Sequence, residues 1–455
     1  MDKRPPNLVY GVEDRPPPGV LFLLGIQHVF LMSSTLVLPV VLVSEIGGSF
    51  GQVRAVVALT MIACGIGTIL QALRWRGLGS GYLCPNLCGP NFFSASMEAA
   101  WLGGLPLMRG MTIAAGLVEV VFARIVHRIR FLFPPEITGL VVLMVAVSLV
   151  PLATSKSLGI SYEGEPIRGA NLIVAALTVL IMLGVNVWGH GKVKLYSVLI
   201  GMGSGYIMAW AAGLLTTTQF DRVISAPWVA LPALEGMFTL SFDWALLPAF
   251  VIVSITGALK SFGNLIMCEK VNDPDWKEPE MSRISGGLLA DAACVTASGL
   301  LGGVASDTSA SNVGLSSASG ATSRWIGFMA GALFIALAFS PKISSLLSIM
   351  PMAVMGAILI FVTCFMVMSG IQIILASGVD QRKTFVIGIA FIFGISLDMM
   401  PGMYGGVPHQ LRPLLASSLT LSTVLAVVLN QLLHPSKPDA HAGKTTPQDS
   451  HPEQH

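Results

Sequence analysis

Charged residues are scarce in this 455-residue chain: Asp, Glu, Lys and Arg together make up 11% of it. The 26 basic and 24 acidic residues leave a formal net charge of +2, and no basic stripe points to a nucleic-acid partner. Hydrophobic residues make up 53% of the chain, and the mean hydropathy is +0.75. Soluble domains carry about 25% charged residues, so the composition excludes that class and favours a membrane protein.

Residues arranged for catalysis or metal binding are also lacking. The six cysteines lie in or near apolar runs, and no His accompanies the CxxxC pair Cys84 and Cys88 nearby. We interpret them as packing residues rather than disulfides or ligands. No nucleophile–base arrangement is recognisable. We therefore expect neither an enzyme nor a metal or cofactor site. The polar, Pro-rich start predicts no signal peptide, and the His-containing tail over 434–455 is expected to be disordered.

Apolar runs of about 20 residues, enough to cross a hydrocarbon core of roughly 30 Å, recur along the chain. They predict fourteen membrane spans. The predicted spans are 19–43, 52–73, 82–101, 107–127, 136–153, 170–188, 194–214, 246–268, 284–301, 304–321, 325–341, 350–370, 383–399 and 413–433. Most lysines and arginines fall on the side that holds both termini. We therefore expect a multi-pass protein of the cell membrane with both termini in the cytoplasm.

Two polar segments interrupt this apolar pattern, YLCPNLCGPNFFSAS (82–96) and GGVASDTSASNVGLSSASGATSR (302–324). Irregular backbone is tolerated at membrane depth only where protein or a water-filled cavity supplies its hydrogen bonds. Such a pair, one in each half, indicates the substrate site of a transporter with broken helices. The alternative is a pair of loops outside the membrane. PPEITG (134–139) and PMAVMG (351–356) open spans five and twelve, seven apart, which predicts an inverted 7+7 repeat.

Several short motifs resemble the nucleobase–ascorbate transporter family, also called nucleobase:cation symporter-2, which includes uracil and xanthine permeases. The resemblance covers nearly the whole chain. The matching motifs are YGVEDRPPPG (10–19), Gly25-Ile26-Gln27-His28, PPEITG (134–139), Leu289-Ala290-Asp291 and Ser311-Asn312-Val313-Gly314, the last running on to Ser319-Gly320.

The resemblance implies an all-α polytopic fold with a short strand and a half-helix in each of spans three and ten. It implies strands over 84–88 and 305–309, with half-helices beginning near 89–92 and 311–314. The base would sit between them, which makes Gly89, Asn91, Asn312 and Gly314 candidate binding residues. A core domain would cover 19–127 and 246–341, and a gate domain 128–214 and 342–433. Residues 1–18 would form a cytoplasmic segment, and 215–245 an extracytoplasmic loop.

The chain departs from the family pattern at the site itself. Lys260 stands where members usually carry a Glu in span eight, three residues before a Gly, here Gly263. Ser311 stands where they usually carry Gln or Glu, while Ser319 and Gly320 replace the later Thr and Arg of the signature. A base-binding acidic pair is therefore missing, and a cation and a hydroxyl stand in its place.

Lys260 lies well inside an apolar span, where an ionisable residue indicates a functional site with a partner. The partner is either a substrate anion or Asp291, the second giving a purely structural pair. Snorkelling to the headgroups is a further alternative. Asn264 lies one helical turn away on the same face and is a candidate polar contact.

Phe92, His28 and Asp307 each have more than one interpretation, and Glu119 and Arg124 have one. Phe92 aligns with an aromatic position that packs against the base, or is a core or lipid-facing side chain. His28, beside Gln27, orients a neighbour or carries protons, or only packs between helices. Asp307 caps a half-helix or offsets the charge of Lys260. Glu119 and Arg124 are five residues apart on the predicted fourth span, so we interpret them as packing and interface residues.

These features predict an elevator-type secondary transporter of a nucleobase or related planar solute, more anionic than uracil. The family implies protons or sodium as the coupling ion, for which Asp291, Asp307 and His28 are candidates, and a homodimer in the lipid bilayer. The alternative is an organic or inorganic anion exchanger on the same architecture.

Overall fold

The computed structural model describes residues 8–129, 134–160, 166–190, 193, 196–232, 239–273, 275–277, 279–376, 378, 380–400 and 418–433. Helices dominate these ranges. The helices are α1 Pro18–Ser33, a 3-10 turn Ser34–Leu36, α2 Val37–Glu45, α3 Phe50–Ala72, α4 Pro90–Ile129, α5 Pro135–Ser148, α6 Val150–Leu158, α7 Gly169–Trp188, α8 Ser197–Ala211, α9 Thr217–Ile224, α10 Leu247–Asn272, α11 Met281–Leu301, α12 Ala310–Ser319, α13 Arg324–Ala338, α14 Pro341–Ser348, α15 Met352–Ala376, α16 Gln381–Met399 and α17 Ser418–Leu432.

Two short strands, β1 Asn86–Cys88 and β2 Ser306–Thr308, are buried among the helices. They pair antiparallel, with Leu87 opposite Asp307. Each strand leads directly into a helix, β1 into α4 and β2 into α12. The predicted strands over 84–88 and 305–309 are therefore present, each two residues shorter. The two polar segments lie against each other inside the protein rather than forming separate loops outside it.

The helices pack in two groups. In one, α4 packs against α10 and α11, α3 against α11 and α13, and α1 against α13. In the other, α15 packs against α5, α6 and α7, α7 against α8, and α17 against α5 and α16. Contacts of α5 with α4 and α10 join the two groups. The strand pair lies in the first group, where β1 contacts α3 and β2 contacts α10 and α11.

Within the described ranges, eight helical segments are long and apolar enough to cross a membrane, and α13 with α14, bent by 77°, makes nine. The protein is therefore a polytopic membrane protein. The predicted boundary between spans three (82–101) and four (107–127) agrees with a break in α4 at Gly103 and Gly104, where the backbone is not helical and Gly104 has a φ of 67°. The start of span fourteen and the tail over 434–455 lie outside the described residues.

The first predicted span also divides, into α1 and α2. Ser33, Ser34 and Thr35 turn their hydroxyls back onto backbone carbonyls three or four residues earlier. Such bonds compete with the helical ladder and bend helices. The 3-10 turn at Ser34–Leu36 stands at this place. The division lies where the first span passes the strand pair, since both α1 and the 3-10 turn contact β1.

Candidate functional site

The strand pair directs two helix N-termini into the first helical group. α4 begins at Pro90. Proline suits the first helical position because an N–H at that position would have no partner within the helix. α12 begins after Ser309, whose hydroxyl accepts from the backbone N–H of Asn312 at 3.2 Å. Unpaired N–H groups and the positive end of the helix dipole favour carbonyl oxygens or anions. The half-helix starts predicted near 89–92 and 311–314 agree with these positions within one or two residues.

Lys260 meets Asp307 at the centre of this arrangement. Lys260 Nζ lies 2.9 Å from Asp307 Oδ2, and Asn91 Nδ2 donates to the same oxygen at 2.9 Å. The Asp307 side chain is fully buried, whereas that of Lys260 is 25% exposed. Asp307 therefore offsets the charge of Lys260, one of the two predicted interpretations. A Cβ at Gly89 would lie 3.1 Å from Asp307 Cγ, so a glycine lets the two strands approach this closely.

Asp291 is not the partner of Lys260, which corrects one of the predicted pairings. Its carboxylate instead accepts from Asn86 Nδ2 at 2.6 Å and from Ser261 Oγ at 2.5 Å. Thr308 Oγ1 donates to Ser261 Oγ at 2.8 Å. Lys260 and Ser261 are adjacent on α10 and point to different carboxylates because successive helical positions are about 100° apart. Asp291 thus ties α11 to β1 and α10.

Asn264 faces the strand pair, one turn after Lys260 on α10. Its Nδ2 donates to Thr308 Oγ1 at 2.9 Å and to the Thr308 carbonyl at 3.2 Å. The predicted polar contact of Asn264 is therefore with β2. Together with the Lys260–Asp307 pair, this bond holds α10 against the strand that starts α12.

His28 connects α1 to the second half-helix. Its Nδ1 lies 2.7 Å from Asn312 Oδ1, and Asn312 Nδ2 donates to Ser309 Oγ at 2.8 Å. Because the amide nitrogen serves Ser309, the amide oxygen faces His28, and Nδ1 is assigned as the donor. His28 therefore orients Asn312. The neighbouring Gln27 has a buried Oε1 with no hydrogen-bond partner.

Phe92 is fully buried two residues after the start of α4. A Cβ at Gly257 on α10 would lie 3.2 Å from Phe92 Cε2 and 3.4 Å from Glu119 Oε1. The Phe92 ring and the Glu119 carboxyl therefore meet at Gly257, one helical turn before Lys260. The sequence did not predict that Glu119 lies beside these residues. The available signal was an acidic residue inside the apolar run GLVEVVF, which the sequence analysis assigns to packing.

Several residues around the strand pair are exposed or have polar atoms without a hydrogen-bond partner. Ser311 and Gly314 are exposed on the first turns of α12, and Gly263 is exposed on α10 one turn after Lys260. A Cβ at Gly263 or Gly314 would meet no atom within 4 Å. Buried acceptors without hydrogen-bond partners are Gln27 Oε1, Asn86 Oδ1, Asp307 Oδ1 and both Glu119 oxygens. The described residues hold no cluster of three or more His, Cys, Asp or Glu suited to a metal ion.

Comparison with known proteins gives one consistent family. Residues 19–402 match the model of the Permease family of xanthine and uracil permeases. The xanthine permease XanP of Escherichia coli is 26% identical over 95% of this chain and 96% of its own. The uric acid permease PucJ of Bacillus subtilis is 26% identical over 90% of this chain and 92% of its own.

Among solved structures, the transmembrane domain of the cyanobacterial bicarbonate transporter BicA is similar to the fold, with a TM-score of 0.57. The match covers 92% of this chain and 98% of that domain at 12% sequence identity. At this identity the likeness concerns the fold alone.

Proposed function

This chain belongs to the permease family of xanthine and uracil permeases, and we propose that it carries an oxidised purine, xanthine or urate, rather than uracil. Permeases move their solutes and do not convert them, and the curated relatives are xanthine and uric acid permeases. The observation that carries the choice of substrate is the combination at the strand pair of one partly exposed ammonium with buried acceptors that have no donor.

The unpaired acceptors match the hydrogen-bond donors of an oxidised purine. Asn86 Oδ1 and Asp307 Oδ1, on β1 and β2, are buried without partners, and a buried acceptor left unsatisfied costs about 1–3 kcal/mol. Xanthine and urate carry several ring N–H groups around a planar skeleton, and these groups supply the missing donors. Bicarbonate and sulfate offer mainly acceptor oxygens and leave these carbonyl and carboxylate oxygens unsatisfied.

The positive features match the oxygens of the same ligand. Lys260 Nζ is shared with Asp307, yet its side chain is a quarter exposed and retains two further donor positions. The N-termini of α4 and α12 add backbone donors. We assign Lys260 and the exposed Ser311 to the carbonyl or enolate oxygens of the substrate. We assign Phe92, which packs beside Gly257, to the face of the purine ring.

The fold supports an elevator movement of one helical group against the other. The group that holds the strand pair corresponds to the proposed core domain, and the group around α5, α7 and α15 to the proposed gate. Fourteen spans in an inverted 7+7 repeat, both termini in the cytoplasm, a cell-membrane location and a homodimer complete the proposal. The paired breaks after β1 and β2 support the repeat.

Counterflow into proteoliposomes tests this function without requiring a driving gradient. Vesicles loaded with unlabelled xanthine are diluted into radiolabelled xanthine, and urate, uracil, bicarbonate and sulfate are added as competitors. We expect competition by urate and weaker competition by uracil, with none by bicarbonate or sulfate. Competition by bicarbonate or sulfate in the absence of purine counterflow would instead identify an anion exchanger on this fold.

A matched pair of lysine variants locates the site within the same assay. Lys260→Met keeps the length of the side chain and removes its charge, whereas Lys342→Met makes the same change on α14, where the ammonium lies over the Trp228 ring. We expect loss of purine counterflow only in the first variant. Equal counterflow in both variants would contradict the assignment of Lys260 to the substrate.

A further inference from the structure

Glu119 is a buried carboxyl without partners in the second part of α4, after the break at Gly103 and Gly104. The residue is 1% exposed, and neither oxygen has a hydrogen-bond partner. A charged carboxylate in such a position costs several kcal/mol, because nothing replaces the water it has lost. The packing therefore accommodates the proton-bound form of Glu119.

Acidic groups outnumber basic groups around the strand pair, and this excess of negative charge favours the binding of a proton. Three buried carboxyls, Asp291, Asp307 and Glu119, lie around the strand pair, and the one ammonium there, Lys260, contacts Asp307. Asp307 has the ammonium and an amide donor, and Asp291 has an amide and a hydroxyl donor. Glu119 alone of the three has no donor. Of the three carboxyls, Glu119 is therefore the one that most needs a bound proton to neutralise its charge.

Several other charged groups on α4 and on the elements packed against it have their own partners, including Lys270 of α10 over the Trp276 ring and Arg283 of α11 with Glu280. On α2 and α5, Glu45 pairs with Lys156, and Glu136 lies 4.0 Å from Lys383. Arg109, on α4 itself, donates to the carbonyls of Thr239, Gly299 and Leu300. On α11 the thiol of Cys294 lies 2.8 Å from Ser306 Oγ. The charged groups that act on Glu119 are the carboxyls of Asp291 and Asp307.

The position of Glu119 links a bound proton to the substrate. Its Oε1 and the Phe92 ring converge at Gly257, one turn before Lys260 on the same face of α10. We propose that Glu119 carries the proton that is cotransported with the purine, an inference that rests on the proposed function. The carboxylate takes one proton on the side of higher proton concentration and becomes a neutral acid. It releases that proton on the opposite side after the substrate has left.

Gradient-driven uptake of xanthine by wild-type protein and Glu119→Gln tests the proposal. An imposed gradient of one pH unit drives at most about tenfold accumulation when one proton moves with each substrate. We expect wild type to accumulate xanthine and Glu119→Gln to equilibrate it without accumulation, while both perform counterflow. Glu269→Gln is the matched control, because that buried carboxyl accepts from Trp276 Nε1 at 3.1 Å and lies at the end of α10. It should accumulate xanthine as wild type does.

The outcomes separate the two proposals. Absence of purine counterflow in wild type refutes the proposed function itself. Counterflow in wild type together with undiminished accumulation in Glu119→Gln refutes only the role of Glu119. Loss of counterflow in a folded Glu119→Gln protein also refutes it, since the residue would then bind substrate.

A measurement on the wild-type protein covers the case in which Glu119→Gln does not fold. Dicyclohexylcarbodiimide reacts with protonated carboxyls in apolar surroundings, and mass spectrometry of peptides locates the adduct. We expect the adduct at Glu119, decreasing as the pH is raised and decreasing with xanthine present. An adduct at Asp291 or Asp307 with Glu119 unmodified overturns the proposal.

Discussion

The Lys260–Asp307 pair gives a prediction whose magnitude follows from its surroundings. Removing one partner of a buried ion pair costs about 3–5 kcal/mol, because the remaining charge is left without compensation. In Lys260→Ala, Asp307 stays fully buried with the amide of Asn91 as its one donor. We expect a cost near the lower limit, about 3 kcal/mol, since the lysine side chain is a quarter exposed.

The reverse change and the double change complete a cycle. Asp307→Asn leaves an ammonium that reaches water in part, and we expect about 2 kcal/mol. The double variant Lys260→Ala with Asp307→Asn removes both charges and keeps an amide for Asn91, so we expect a cost of about 1–2 kcal/mol. The singles would add to about 5 kcal/mol, so the cycle predicts a coupling energy of about 3 kcal/mol.

The assay is thermal unfolding of the four proteins in one detergent, with counterflow measured on the same preparations. We expect both single variants to unfold at lower temperature than the double variant. Purine counterflow should remain absent in the double variant, because the ammonium assigned to the substrate is missing. Unfolding costs that simply add would refute the ion-pair reasoning. Recovery of both stability and counterflow would show that Lys260 has a structural role alone.

Three further changes test the elements that hold the site. Ser309→Ala removes the hydroxyl that caps α12 and should cost about 1 kcal/mol, with weaker substrate binding as the readout. Gly116→Ala places a methyl group 2.2 Å from Thr296 Oγ1 and should cost about 1–3 kcal/mol in thermal unfolding, whereas Gly203→Ala, with no atom within 4 Å, should not. Lys156→Met breaks the buried ion pair between α6 and α2 and should cost about 3 kcal/mol, while a variant as stable as wild type would show that the pair contributes little.

The amino-acid sequence by itself predicted the class of protein and the two breaks that form its centre. Apolar runs leave a chain of this composition no stable alternative to spanning a membrane, because every backbone group must be satisfied within the protein. The Gly-, Ser- and Asn-rich segments near 86 and 308 lack the apolar continuity of a span. In the structure these segments form the strands Asn86–Cys88 and Ser306–Thr308 instead of continuous helices. These features are local in sequence, so local reasoning reached them.

Tertiary structure decided which charges meet. Lys260 lies 31 positions from Asp291 and 47 from Asp307 along the chain, and the nearer candidate in sequence was wrong. The antiparallel register of β1 and β2 places Asp307 opposite Leu87 and beside Gly89, within reach of α10, while Asp291 turns to Asn86 and Ser261. Glu119 became a candidate only when α4 packed on α10 at Gly257 and left its carboxyl without a donor. Which side chains from distant segments meet depends on strand register and on the rotation of each helix about its axis. A shift of one residue on a helix turns a side chain by about 100°. Packing between distant segments therefore decided that Lys260 pairs with Asp307, that Asp291 binds Asn86 and Ser261, and that Glu119 has no partner.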